Sequence, residues 1–212
     1  MRTPDLRQLI LFFATCLVAI AAAAQAQQIQ EATTVHAFPA VELANGKYTT
    51  CGVRVLFSNS VSADDVEMYD LTVALYGGDS HQDPVTAVRA TLRRGNLIRN
   101  PNLQGSPMRA PLDLVFGIKT LPDPIALRDR STQERTLIAL VDESKARRPG
   151  DIGGPLIRQF TQGEPVLLFW TADATDQRAF RVRAVPDQDL IDTVQACTKA
   201  LARTGHEAPD HS

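Results

Sequence analysis

The clearest pattern in the chain is a strict alternation of apolar and polar side chains over residues 48–57. Four apolar residues recur at every second position and so share one face: Cys51, Val53, Val55 and Phe57. A period of two is typical of a β-strand with one buried face. The Asn45-Gly46 pair just before it favours a tight turn. We expect a long strand whose inner face carries Cys51 into the core.

Similar patterns along the rest of the chain predict a mainly β fold. The predicted strands are residues 34–38, 48–57, 69–75, 85–92, 112–118, 136–141, 165–172 and 179–185, with the first at a sheet edge. Polar composition predicts loops at 58–67 and 96–110 and a turn at 173–178. The connections are too short for the helical crossovers that parallel strands need, so we expect antiparallel pairing.

Two helices are predicted in the last third of the chain. The first covers residues 155–160, with Pro155 in its opening turn and Gly163 after its end. The second begins at a cap formed by Asp187 or Asp189 and stops near Gly205. Its apolar stripe consists of Leu190, Val194, Cys197 and Leu201. The patterns together predict a single antiparallel β-sandwich-like domain with a short helix and a C-terminal helix packed on the sheet.

The first residues have the pattern of a secretory signal peptide. A basic start leads into an apolar run at residues 9–24, followed by the small-x-small sequence Ala24-Gln25-Ala26. We therefore expect a signal peptide at 1–26 cleaved near Ala26, a single β-rich domain at 27–205 and a disordered tail at 206–212. No later segment approaches the roughly 20 apolar residues of a transmembrane helix, so none is expected in the mature chain. The predicted location is periplasmic or secreted; a buried first helix and a lipoprotein acceptor at Cys16 are less favoured alternatives.

Two cysteines remain once the predicted signal peptide is removed, and we expect them to form a disulfide. They are Cys51 and Cys197, and the two periodicities place both on inward faces. An even pair of cysteines in an exported protein is typical of a disulfide. Two buried free thiols are the alternative. A catalytic cysteine is less favoured, because no histidine pattern accompanies either residue.

The number and distribution of charged residues argue against a nucleic-acid partner. The chain has 22 Lys and Arg and 24 Asp and Glu, for a formal net charge of −2, and the two signs are interspersed. Without a basic stripe we expect no nucleic-acid partner. The partner that fits an exported β domain is another protein or a component of the cell envelope.

The sequence GDIGGPL at residues 150–156 resembles the stretch that carries the nucleophile of trypsin-like serine proteases, except that Ile152 replaces the serine. Isoleucine has no hydroxyl, so nucleophilic catalysis at this position is excluded. His36 and Asp123 stand in faint counterparts of the other two motifs, but Asp123 and Ile152 are only 29 positions apart. We favour a glycine-rich turn that leads into the short helix. A degenerate protease fold remains an alternative.

Other candidate chemistry is weaker, so we predict no catalytic, cofactor-binding or metal-binding residues. The Gly78-Asp79-Ser80-His81 stretch is interpreted as a turn. Four acidic residues lack the calcium-loop spacing and are interpreted as part of a solvated acidic loop: Asp64, Asp65, Glu67 and Asp70. The four histidines are too scattered for a zinc site. Trp170, on an apolar strand, is expected in the core.

The last 55 or so residues resemble the end of small exported bacterial proteins of the invasion-associated locus B type. The likeness is one of element order and apolar spacing: Leu156 and Gly163, the strands around 166–169 and 180–182, and the helix at 190–201. The first half departs from that pattern, because it has no tryptophan-led opening and only Cys51 in place of a richer cysteine set. The resemblance implies a periplasmic or secreted β-sandwich without a catalytic centre, associated with the cell envelope or host contact. It supplies no binding residues.

These observations favour an exported, non-enzymatic binding or interaction protein. Two alternatives stay open at this point. One is the degenerate trypsin-like fold, and the other is an enzyme whose residues come together only in three dimensions.

Overall fold

The computed structural model describes residues 28–77, 85–96, 98–99, 103, 106–144, 146 and 150–204. The predictions for the signal peptide at 1–26, the tail at 206–212 and the stretch at 78–81 lie outside these residues. The elements are β1 Ile29–Glu31, β2 Thr33–Ala44, β3 Lys47–Ser60, β4 Asp65–Tyr76, β5 Val85–Asn96, β6 Met108–Arg109, β7 Asp113–Gly117, β8 Leu127–Gln133, β9 Thr136–Val141, α1 Gly153–Thr161, β10 Val166–Thr171, β11 Gln177–Val182 and α2 Gln188–Thr204.

The strands form two open sheets, which confirms the prediction of a mainly β, sandwich-like domain. The larger sheet has the order β2-β3-β4-β5-β9-β8, with β6 paired to the far end of β5. The smaller sheet has the order β1-β11-β10-β7. Neighbours pair antiparallel, as expected, except that β1 runs parallel to β11. No helix in the described part of the chain is long and apolar enough to cross a membrane.

An aromatic cluster joins the two sheets at the centre of the core. Phe57 and Tyr69 stack on the large sheet with ring centroids 4.7 Å apart. Tyr69 meets Trp170 of the small sheet edge-on at 4.9 Å and Phe180 at 4.8 Å. All four residues are at most 1% exposed. Burial of such side chains contributes roughly 1.5–3 kcal/mol each, and edge-on or offset aromatic pairs add to it.

The C-terminal helix is fixed to the large sheet by the predicted disulfide. Cys51 of β3 and Cys197 of α2 are bonded, with their Cα atoms 5.6 Å apart, and both are fully buried. The backbone N–H of Leu190 donates to Asp187 Oδ1 at 2.8 Å, so Asp187 rather than Asp189 caps the helix. The predicted apolar stripe is buried throughout. The bridge spans 146 residues, which in the chain-entropy model corresponds to about 4–5 kcal/mol of stabilisation.

The large sheet is longer than the sequence pattern predicted. The polar stretch 58–67 is not one loop: β3 continues to Ser60 and β4 begins at Asp65, which leaves residues 61–64 as the connection. The strand predicted at 85–92 is also longer, because β5 continues to Asn96. A Cβ added at Gly95 would lie 2.6 Å from Leu103 Cδ2, so the Leu103 side chain would have to shift. Polar residues belong to these strands because one of their faces meets solvent.

Candidate functional site

The GDIGGPL stretch is a turn that leads into helix α1. Gly150 has φ of +82°, and Gly153 is the first helical residue. The Glu143 carboxylate holds the turn, since it accepts the backbone N–H of Gly150 at 2.5 Å and that of Gly153 at 3.1 Å. The Thr86 hydroxyl donates to the same carboxylate at 3.2 Å. The glycines therefore meet geometric needs of the turn.

The residues of the protease-like motifs do not form a catalytic arrangement. Asp123 and Ile152 line one cavity of about 440 Å³. His36 is an exposed residue of the edge strand β2 and is not among the residues lining that cavity. An oxyanion hole needs backbone N–H groups aimed at the reacting atom, whereas those of Gly150 and Gly153 bind Glu143. The sheets are open, while two closed barrels would be needed for the protease fold.

A larger opening lies between the two sheets, and we call it the cleft. Its volume is about 640 Å³. Apolar and weakly polar residues form much of its lining: Leu92, Pro107, Met108, Ala110, Pro111, Leu112, Thr132, Trp170 and Ala172. The charged residues that line it are Glu67, Arg94, Arg109, Arg135, Asp173, Asp176 and Arg178. The cleft thus combines an apolar surface with ionised groups.

A buried ion-pair network lies at the inner end of the cleft. Arg178 Nη1 contacts the carboxylate of Glu67 and donates to the Tyr69 hydroxyl oxygen at 2.8 Å. Its Nε and Nη2 bind the two oxygens of Asp176 at 2.7 and 2.6 Å. The Tyr69 hydroxyl in turn donates to Glu67 Oε2 at 2.9 Å. All three nitrogens of the guanidinium are engaged, so Arg178 is fixed in place.

The network makes the burial of Glu67 tolerable. The Glu67 side chain is only 2% exposed, and an isolated carboxylate at such a position would be strongly unfavourable. Burial, followed by the nearby negative charge of Glu67, raises the pKa of Tyr69 far above its usual value. The hydrogen bonds from Arg178 to Asp176, and then those to Glu67, raise the pKa of Arg178 as well. Tyr69 therefore stays a neutral donor and Arg178 stays charged at any ordinary pH.

Three further arginines surround the mouth of the cleft. Arg94 Nη1 lies 3.9 Å from Glu67 Oε1, and its side chain is 58% exposed. Arg109 and Arg135 are exposed. Asp173 is also exposed, and hydrogen bonds from the backbone and hydroxyl of Thr175 lower its pKa, with a smaller contribution from the charge of Arg109. The mouth is therefore rich in cations.

The sequence prediction missed the residues of this network. It placed Glu67 in a solvated loop, which is wrong, and Arg178 at the end of a polar turn. The prediction that Trp170 belongs to the core is confirmed, but Trp170 also lines the cleft. The two-residue period of the strands could have indicated both residues. Glu67 stands two positions before Tyr69, and Arg178 stands two positions before Phe180. Extending each alternation by one step would have turned both side chains inward.

No group of three or more His, Cys, Asp or Glu that could hold a metal ion occurs among the residues that the structure describes. The chain matches no protein-family model, no curated protein and no solved structure.

Proposed function

We propose that this protein is an exported, non-enzymatic binding protein of the bacterial periplasm or cell envelope, and that the cleft holds its ligand. The observation that carries the proposal is the cleft itself. Its volume of about 640 Å³ lies within the range of small-molecule sites, and its lining has the usual mixture of apolar surface with a few fixed polar groups.

The state of Glu67 and Asp176, the two acidic groups at the inner end of the cleft, supports binding over catalysis. A general base needs an unoccupied oxygen within reach of the proton that it removes. The Glu67 oxygens already face Arg178, Tyr69 and Arg94, and both Asp176 oxygens accept from Arg178. The raised pKa of Tyr69 keeps its hydroxyl protonated. These groups are therefore suited to shaping the cleft and fixing its charge.

Two features support export. The disulfide between Cys51 and Cys197 is buried and is typical of proteins in oxidising compartments. The first 26 residues have the composition of a signal peptide. The resemblance of the last third to invasion-associated locus B proteins agrees with a location at the cell envelope.

Native mass spectrometry of the mature protein after incubation with envelope extract tests the proposal. We expect an added mass on the wild-type protein, and we expect Ala110→Trp to lose it because the indole fills the cleft. Ala126→Trp is the matched control, since Ala126 lines the cavity beside Ile152 instead. Thermal unfolding of both variants verifies that they are folded.

The same experiment separates binding from catalysis. A non-enzymatic protein returns its ligand with an unchanged mass after prolonged incubation. Retention of the added mass by Ala110→Trp would argue against the cleft, and conversion of the ligand to a product would argue against a binding protein.

A further inference from the structure

We infer that the ligand of the cleft is a small organic anion with an apolar body, and that Arg135 binds its anionic group. The inference rests on the proposed function, since it names the ligand class of the same cleft. It draws on the charges in the cleft, on the backbone at Arg135 and on the way that backbone is anchored.

The cleft contains one more arginine than acidic residues, so one positive charge has no acidic counterpart. Arg178 is shared by Glu67 and Asp176, and Arg94 lies beside Glu67. Arg109 is close enough to Asp173 to help lower its pKa. Within the described ranges, the side chain of Arg135 makes no ion pair or hydrogen bond with any residue. Four arginines against three acids give the cleft a net positive charge, and Arg135 is its uncompensated member.

The backbone at Arg135 is strained in a way that its side chain does not explain. Gln133 pairs with Thr136, so Glu134 and Arg135 form the two-residue tip of the β8–β9 hairpin. Their φ angles are +47° and +63°, in the left-handed region. Asn-Gly is the usual choice for such a tip, because other side chains are disfavoured there. Strained positions of this kind concentrate at binding sites.

One hydroxyl anchors the segments that carry two of the cleft's arginines. Thr91 Oγ1 lies 3.3 Å from the carbonyl oxygen of Arg135 and 3.4 Å from that of Arg109. Thr91 is 7% exposed. On β5 it lies between the residues that pair with β9 and those that pair with β6. The hairpin tip and β6 are thereby held side by side. Thr91 thus ties to β5 the two backbone segments that carry these arginines.

The remaining lining suits the apolar part of such a ligand. Leu92 and Trp170 are buried, and the neighbouring Leu112 is 59% exposed. An apolar body lying against Leu112 would remove that side chain from water. An anion next to Arg135 would gain charge-assisted hydrogen bonds at the mouth of the cleft. One molecule would satisfy both features.

Trp170 provides a direct readout, because it is the only tryptophan in the chain and it lines the cleft. Three probes share a ten-carbon body and differ in charge: decanoate, decanol and decyltrimethylammonium. Titrations below their micelle concentrations follow the Trp170 emission. We expect decanoate to bind about tenfold more tightly than the other two, with an affinity that falls as salt rises.

The variant Arg135→Gly tests the guanidinium and the backbone strain with different measurements, because it removes the first and relieves the second. We expect this variant to bind decanoate about tenfold more weakly, to bind decanol unchanged and to unfold at a higher temperature, because glycine relieves the strain at φ +63°. Glu134→Gly is the matched control: it relieves the adjacent strain and should keep the affinity for decanoate. Arg135→Asn, which tolerates the same backbone, should repeat the loss of affinity.

Three results would overturn the inference. Equal affinity for the three probes would show a cleft that binds without selecting an anion. Full decanoate affinity in Arg135→Gly and Arg135→Asn would show that Arg135 does not bind the anionic group. In both cases the proposed function would stand. Failure of all three probes to bind, by Trp170 emission and by titration calorimetry together, would also reject this ligand class. The proposed function would then be decided separately by the mass added from envelope extract.

Discussion

Glu67 and Asp70 are three positions apart on β4, and they show how the face of a strand changes the role of a carboxylate. Glu67 points into the cleft with a 2% exposed side chain and binds Arg178. Asp70 pairs with Arg54 across the outer face of the sheet, at 2.9 and 2.6 Å, with side chains 28% and 51% exposed. The first pair is shielded from water and salt, and the second is not.

Neutralising the two carboxylates should therefore have unequal effects. We expect Glu67→Gln to lower the free energy of unfolding by about 2–3 kcal/mol, below the usual loss for a broken buried pair because Arg178 keeps Asp176. Asp70→Asn should lower it by only about 0.5 kcal/mol, as is typical of exposed ion pairs. Denaturant unfolding followed by Trp170 fluorescence measures both. Equal losses would mean that the inner network has no special energetic role.

Helix α1 begins with two consecutive glycines that face different surroundings. A Cβ on Gly153 would lie 1.8 Å from Thr86 Oγ1, and nothing lies within 4 Å of a Cβ on Gly154. Close packing against β5 therefore requires glycine at the first position only. Gly154 directly precedes Pro155, whose ring disfavours helical backbone for a preceding residue that carries a Cβ.

Replacing each glycine with alanine tests this assignment. We expect Gly153→Ala to destabilise the protein by about 1–3 kcal/mol, because α1 must move away from Thr86. Gly154→Ala should change it by less than about 1 kcal/mol, because the higher helix propensity of alanine is opposed by the contact of its Cβ with the Pro155 ring. Thermal unfolding distinguishes the two effects by their size. If both variants lost stability to the same extent, the spacing between α1 and β5 would not be the cause.

Elements could be predicted from the sequence wherever one face is buried and the other meets solvent. The clearest cases are β3, β9 and α2, whose apolar positions recur with one period. By contrast, β8 escaped prediction because Leu127 is its only buried residue, and β1 is fully exposed. Strands of this kind are defined by their neighbours, and the sequence alone does not contain that information.

The cleft was hidden for a related reason. Its lining comes from six strands and from turns far apart in the chain, and its key carboxylate lies at an inward position that apolar residues usually fill. A prediction based on hydrophobicity places the end of the strand at Glu67, because a charged residue is not expected at an inward position. Strand β11 of the smaller sheet, which brings Arg178 opposite Glu67, makes the burial of that carboxylate possible.

At the scale of the whole molecule, the disulfide should contribute a large share of stability. We expect the Cys51→Ala/Cys197→Ala variant to lose about 2–5 kcal/mol of unfolding free energy, because its unfolded chain is no longer constrained by a 146-residue crosslink. Denaturant titration measures the loss, and reduced wild-type protein is an independent comparison. A variant as stable as the oxidised protein would contradict the expectation.

The parallel pairing of β1 with β11 joins Ile29 to Ala179, and the disulfide closes over a similar span. During synthesis the first closure can form only after β11 has left the ribosome, and the second only after Cys197 has. Such distant pairings also form slowly. The strands β2–β5 pair with their sequence neighbours and need no residue of the C-terminal third, whereas β1 and α2 are held in place only once that third is present.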